Sequence, residues 1–217
     1  MPTSSRPSTT AAIVALVRLA IAALVIAAVA ATLADALERG PVNPFNFFGF
    51  FTIQSNSMLT VVLIIAAVQL LRGRPSPAWF LLVRGAVTTF IIIVGLVYVA
   101  LLAPLGAAGG VPVEWANVVM HYVTPIYGLV DWILVNDRRR LGARQVVWVL
   151  VYPLVWVTVV LVRGATDGWV PYPFLNPETG YASVFGYVVA IFAVFVVVGL
   201  IVFALTRVRA AGRVVRA

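Results

Sequence analysis

Six apolar runs, each reaching the roughly 18 residues that separate a membrane-spanning helix from a buried soluble one, fill most of this 217-residue chain. Hydrocarbon offers no water to pair with backbone N–H and C=O groups. A spanning segment must satisfy them internally, so runs of this length are helices. They extend roughly over Ala11–Leu37, Phe45–Leu71, Ala78–Leu102, Val113–Val135, Gln145–Val162 and Tyr181–Leu205. The expected fold is all-α, a six-transmembrane-helix bundle over residues 11–206. A polar, disordered segment 1–10 precedes it and a basic tail 207–217 follows. The first run has a second reading. Arg18, then Leu19–Leu33, then Ala34-Asp35-Ala36 has the pattern of a signal peptide with a small-residue cleavage site, which would leave five spans.

Charge sets the orientation. Only 10% of residues are charged, where a soluble domain carries about a quarter. The net charge of +8 comes from fifteen basic residues, all Arg. They sit at the ends of the apolar runs, where anionic lipid is the natural partner. With no soluble basic, aromatic-interleaved surface, nucleic acid is excluded. Thirteen Arg fall on one side: Arg6, Arg18, Arg72, Arg74, Arg84, Arg138, Arg139, Arg140, Arg144, Arg207, Arg209, Arg213 and Arg216. Only Arg39 and Arg163 fall on the other. The Arg-rich side is cytosolic, which gives an N-in/C-in topology. Arg18, near the start of the first run, is expected to snorkel to the headgroups. Cysteine is absent, so no disulfide or thiol nucleophile is available. The Ala/Val/Arg-rich, Lys-free composition suggests a bacterium with GC-rich codons and hence a bacterial cytoplasmic membrane.

Polar side chains inside spans are costly and therefore informative. Two clusters stand out. In span 2, Thr52, Ser55 and Asn56 share a helix face by their i, i+3, i+4 spacing, with Gln54 beside them. In span 4, Asn117, His121 and Thr124 share a face, followed by Pro125; His121 is the only histidine. Counted from the outer ends of their spans, Thr52 and His121 both lie on the order of 10–12 Å deep. A hydroxyl beside an imidazole is the minimum for activating an oxygen nucleophile. Gln54, Ser55, Asn56, Asn117, Thr124 and Tyr172 are candidates for substrate or oxyanion contacts. Asp131 lies about 15 Å deeper than His121, too far to orient it, and is expected to pair with Arg84 or Arg138. Polar residues in spans also glue helices together by hydrogen bonds, and Thr52 and His121 have that structural reading too. The segment Trp169-Val170-Pro171-Tyr172-Pro173-Phe174 reads as an interfacial aromatic anchor or as the cap of a lipid cavity. No internal repeat, phosphate loop or H-E-x-x-H pair is present.

Phe50-Phe51-Thr52-Ile53, Met120-His121 followed by Pro125, and Gly168-Trp169-Val170 with Tyr172-Pro173-Phe174-Leu175 resemble the androgen-induced and androgen-dependent six-span membrane proteins and their bacterial six-span relatives. The animal members are threonine hydrolases of fatty acid esters of hydroxy fatty acids. The resemblance runs from span 2 to span 6. It implies Thr52 as nucleophile and His121 as base, and matches an acid ten residues after the histidine, here Asp131. The chain departs from the family in three ways. Pro125 follows His121 after three intervening residues rather than four, the acid is Asp rather than Glu, and Pro171 is inserted in the outer motif.

The expectation is an intramembrane lipid-ester hydrolase acting on fatty acyl esters drawn from the membrane lipids, with no metal and no cofactor. One rival is a lipid- or small-molecule-binding sensor or accessory subunit using the same cavity. Another is a small transporter, which would need a polar track from His121 to Asp131.

Overall fold

The computed structural model describes residues 8–135, 137 and 139–208. Residues 1–7 and 209–217, and Arg138 with its expected pairing to Asp131, lie outside them. Every described regular element is helical. Helix α1 (Thr9–Arg39) opens on Ser8, whose hydroxyl accepts from the Ala11 N–H. Order therefore reaches back into the stretch expected to be disordered, because a Ser N-cap satisfies one of the orphan N–H groups. Then come α2 (Pro44–Phe47), α3 (Phe51–Leu71), α4 (Ala78–Val97), α5 (Glu114–Val118), α6 (Thr124–Leu134), α7 (Val147–Thr166) and α8 (Tyr181–Leu205).

Five helical stretches are long and apolar enough to cross a membrane: Thr9–Arg39, Phe51–Leu71, Ala78–Gly106, Ala143–Thr166 and Tyr181–Leu205. The remaining expected run is helical from Glu114 to Leu134, in three pieces. α5 and α6 are joined by a π-helical turn over Val119–Val123. The cause is local. Pro125 has no N–H to offer the carbonyl four residues back, that of His121, so the turn before it widens.

The second expected span divides. α2 starts on Pro44 behind an Asn43 cap and ends at Phe47, and the long helix begins only at Phe51. Thr52 is therefore in the first turn of α3, not two turns into a span that starts at Phe45. The join at Gly49 is crowded. A Cβ there would lie 2.5 Å from Trp169 and 2.6 Å from the Phe45 carbonyl oxygen. The Gly49 carbonyl is capped by Trp156 Nε1 at 2.9 Å.

α1 lies along α3, and α4 is central, touching α3, α6 and α8. Small residues permit these close approaches. On α1 the buried stripe is Ala11, Ala15, Ala22, Val25, Ala28 and Thr32, spaced three and four apart with Arg18 among them. Between α4 and α6, a Cβ on Gly95 would meet the Pro125 ring at 2.8 Å, and one on Gly128 would meet Ile91 at 2.8 Å. Large apolar side chains of α1, α7 and α8, such as Leu16, Leu154 and Phe185, face outward, as a surface in contact with lipid requires.

Near the Arg-rich ends, four charges are buried together. Arg18 of α1 meets Asp131 of α6 at 2.9 Å and Asp137 at 2.8 Å. Arg84 of α4 meets the same two carboxylates at 2.8 and 2.7 Å. Arg18 is fully buried, so it does not snorkel. Two opposite charges within reach make pairing better than extension to the headgroups. The quartet is neutral overall, the arrangement a low-dielectric interior tolerates, and it ties three helices at one level.

Candidate active site

Thr52 and His121 meet. The hydroxyl Oγ1 of Thr52 is 3.3 Å from Nε2 of His121, across the contact between α3 and the π turn. Thr52 is 7% exposed and His121 4%, so the pair is shielded without being sealed. On the other side of the ring, Nδ1 lies 3.1 Å from the backbone carbonyl of Asn117. A carbonyl only accepts, which assigns the ring proton to Nδ1 and leaves Nε2 with a free lone pair toward the Thr52 hydroxyl. The carbonyl thus does the orienting work that a carboxylate does in a three-residue relay. The Tyr98 ring is stacked on His121, centroids 4.0 Å apart and 18° from parallel. The Tyr98 hydroxyl is 2.6 Å from Asn117 Nδ2, which donates to it.

The third polar group at Thr52 comes from the loop between α7 and α8. The Tyr172 hydroxyl is 3.4 Å from Thr52 Oγ1 and accepts from the Thr52 backbone N–H at 3.3 Å. That N–H is in the first turn of α3, where no helical carbonyl is available to it. The Tyr172 ring is stacked on Phe174 and edge-on to Phe50, whose other neighbour is Trp169. Trp169 in turn lies under the Arg163 guanidinium, 4.3 Å from the ring centroid. The Trp169–Phe174 segment therefore folds over the pair rather than standing alone as an interfacial anchor. Burial pushes the Tyr172 phenol above its ordinary pKa, so it remains a proton donor.

The other sequence candidates are committed elsewhere. Asn56 Nδ2 donates to the carbonyls of Thr52 and Met120, at 2.9 and 3.3 Å, and its Oδ1 accepts from Thr124 Oγ1 at 2.8 Å. Asn56 and Thr124 thus clamp α3 against the π turn from below and hold Thr52 and His121 in register. Neither aims a donor at Thr52 Oγ1. Gln54 accepts from the Tyr152 hydroxyl on α7. Ser55 is fully buried, and its hydroxyl meets no hydrogen-bond partner among the described residues. The Asn117 side chain accepts from the Val111 N–H at 3.0 Å and braces the loop before α5. Asp131 belongs to the charge quartet and does not touch His121. Among the described residues no three His, Cys, Asp or Glu side chains gather as a metal site would need.

Two cavities open on Thr52 from different directions. One runs between α3, α4, α7 and α8. Apart from Thr52 and the Tyr172 hydroxyl its walls are apolar, among them Phe51, Val94, Pro153, Trp156, Phe192 and Phe195. The other is bounded by Thr32 and Arg39 of α1, Phe50, the Gly109–Pro112 stretch, Pro171 and His121. Thr52, Tyr172 and Leu102 line both.

Sequence reasoning passed over Tyr98 and Asp137. Tyr98 at the end of an apolar run looks like any belt aromatic, and Asp137 sits in an Arg-rich loop where solvent pairing is the ordinary expectation. The chain matches no protein-family model, no curated protein and no solved structure.

Proposed function

We propose that this chain is a six-span, N-in/C-in membrane protein of a bacterial cytoplasmic membrane that hydrolyses fatty acyl esters, with Thr52 as nucleophile and His121 as general base. The observation that carries the reading is the 3.3 Å contact between Thr52 Oγ1 and the unprotonated Nε2 of His121. Hydrogen-bond glue between helices explains a Thr and a His in contact. It does not call for two cavities to converge on the same hydroxyl. The resemblance of the Thr52, His121 and Trp169–Leu175 motifs to six-span threonine hydrolases points the same way.

The chemistry follows from the geometry. Thr52 Oγ1 attacks the ester carbonyl as His121 Nε2 takes its proton. The bond to the alcohol oxygen breaks, and His121 returns the proton to that oxygen. The acyl group, now esterified to Thr52, occupies the apolar cavity. The alcohol half and then the attacking water use the second cavity, where His121 repeats its role as base. Continuous apolar walls suit an acyl chain that arrives already dissolved in the bilayer. The transporter alternative is weakened because Asp131 is held by Arg18 and Arg84 and offers no free carboxylate below His121.

Purified protein in detergent, given a fatty acid ester of a hydroxy fatty acid and a fluorophosphonate probe, tests the proposal. Wild type should turn over and be labelled on Thr52, while Thr52→Ala and His121→Ala should do neither. Equal turnover by all three would end the catalytic role of Thr52 and His121, and co-purifying lipid with no hydrolysis by any of them would leave the lipid-binding alternative.

A further inference from the structure

A Thr nucleophile and a His base leave one charge unaccounted for. When Oγ1 adds to the ester carbonyl, the carbonyl oxygen becomes an anion in an apolar surrounding. Without donors close to it the barrier rises steeply. The side-chain amides nearest in sequence do not serve: Asn56 Nδ2 is held by two carbonyls, and Gln54 faces Tyr152 on α7. Two donors lie within reach of the reacting centre and have no competing helical partner. One is the Tyr172 O–H, 3.4 Å from Thr52 Oγ1, and the other is the Thr52 backbone N–H, 3.3 Å from the Tyr172 oxygen.

Building on the hydrolase reading, we infer that Tyr172 is a catalytic residue, its hydroxyl and the Thr52 N–H together forming the oxyanion hole. The Tyr172 oxygen accepts from the Thr52 N–H at the position an ester carbonyl oxygen takes when substrate binds. The incoming carbonyl displaces it from the amide. The phenol then turns its proton from Thr52 Oγ1, whose lone pair is consumed in the new C–O bond, to the developing anion. Tyr172 keeps its proton throughout; only His121 exchanges one. The start of the 21-residue α3 points its N–H groups at the same spot and adds to the stabilisation. The burial that raises the Tyr172 phenol favours this role, since a phenolate there would repel the oxyanion. The aromatic contacts to Phe50, Trp156 and Phe174 fix the ring, so the hydroxyl is preorganised rather than recruited from a mobile loop.

Tyr172→Phe keeps the ring and removes the donor. With a long-chain p-nitrophenyl ester and the full chain in detergent, kcat should fall about 10²-fold with KM little changed, the loss typical of one oxyanion donor. A second readout separates chemistry from packing. A thionoester carries sulfur, a poor hydrogen-bond acceptor, where the oxyanion forms. Wild type should prefer the oxoester strongly, and Tyr172→Phe should narrow that preference. Wild-type kcat and an unchanged oxo-to-thiono ratio in Tyr172→Phe, with Thr52→Ala inactive, would overturn the role of Tyr172 and leave the hydrolase intact. Undiminished turnover by Thr52→Ala would remove both. If Tyr172→Phe does not fold, wild-type turnover of oxoester and thionoester at equal rates excludes a hole made of hydrogen-bond donors.

Discussion

The Tyr98 ring lies flat on His121, and the Tyr98 hydroxyl bonds to the Asn117 side chain, one helical turn before the histidine. The same residue thus holds the imidazole by its face and helps fix the turn whose carbonyl binds Nδ1. The two roles come apart by substitution. Tyr98→Phe keeps the stack and loses one hydrogen bond, a change of about 1 kcal/mol; kcat should drop less than about tenfold. Tyr98→Ala removes the stack, frees the imidazole to turn, and should cost far more. Steady-state kinetics of the two variants checks the order. A Phe variant as impaired as the Ala variant would mean that the hydroxyl, not the ring, holds the histidine.

At Thr52, the hydroxyl proposed as nucleophile and the atoms that pack are separable. Thr52→Val preserves shape and removes the hydroxyl, so turnover should fall at least about 10³-fold while stability barely changes, as for loss of a nucleophile. Thr52→Ser preserves the hydroxyl and should keep measurable turnover and fluorophosphonate labelling. Turnover by Thr52→Val at the wild-type rate would show the nucleophile to be elsewhere.

Much of the architecture was legible because hydrocarbon leaves few choices. Apolar length gave α8 to the residue and the ends of α1, α4 and α7 to within five residues. It did not give the division at Gly49. Asn46 and Gly49 alone do not mark a break within Phe45–Phe51, and the break depends on Trp169 and Trp156, more than a hundred residues later, which crowd Gly49 and cap its carbonyl. Spacing grouped Thr52 with Asn56 and His121 with Thr124 because helix faces are local. Which of the candidate side chains turns toward Thr52 is not local: Tyr172 arrives from a loop, and Asn56 is taken by the carbonyls of its own helix and of Met120. Arg18 departs from the snorkelling expectation because position along a helix does not reveal that Asp131 and Asp137 stand opposite it.

Gly49 links the outer aromatic cover to the site. A Cβ there would sit 2.5 Å from the Trp169 ring and 2.6 Å from a backbone oxygen, and the backbone cannot give as a side chain can. Gly49→Ala should displace Trp169 and with it the Phe50–Tyr172 contacts, and should reduce activity more than stability. The comparison is kcat/KM against thermal midpoint. Trp fluorescence should shift as Trp169 moves.

Asp137 gives the fold a defined acid limit. Its burial favours the neutral carboxyl, but Arg84 and Arg18 outweigh that and hold its pKa near 2, below the ordinary 3.8. A depressed carboxylate pKa contributes stability that is complete above the unfolded value and is lost as pH falls through the folded one. The thermal midpoint should therefore be insensitive to this group from neutral pH down to about 4 and should decline between about 4 and 2. Asp137→Asn should flatten that decline while lowering the midpoint at neutral pH.

The quartet offers the sharpest stability test, because its members are neutral only as a set. Asp131→Asn leaves Arg18 and Arg84, both nearly fully buried, sharing one carboxylate. Breaking a buried pair from one side costs about 3–5 kcal/mol, since the surviving charge keeps its desolvation penalty and loses its partner. Replacing the pair together, Arg84→Met with Asp131→Leu, leaves Arg18 with Asp137 and should recover much of that loss. Thermal unfolding in one detergent orders the variants: wild type highest, the double variant next, Asp131→Asn lowest. The logic fails if Asp131→Asn melts with wild type, for then the arginines reach solvent and the four charges do not depend on one another.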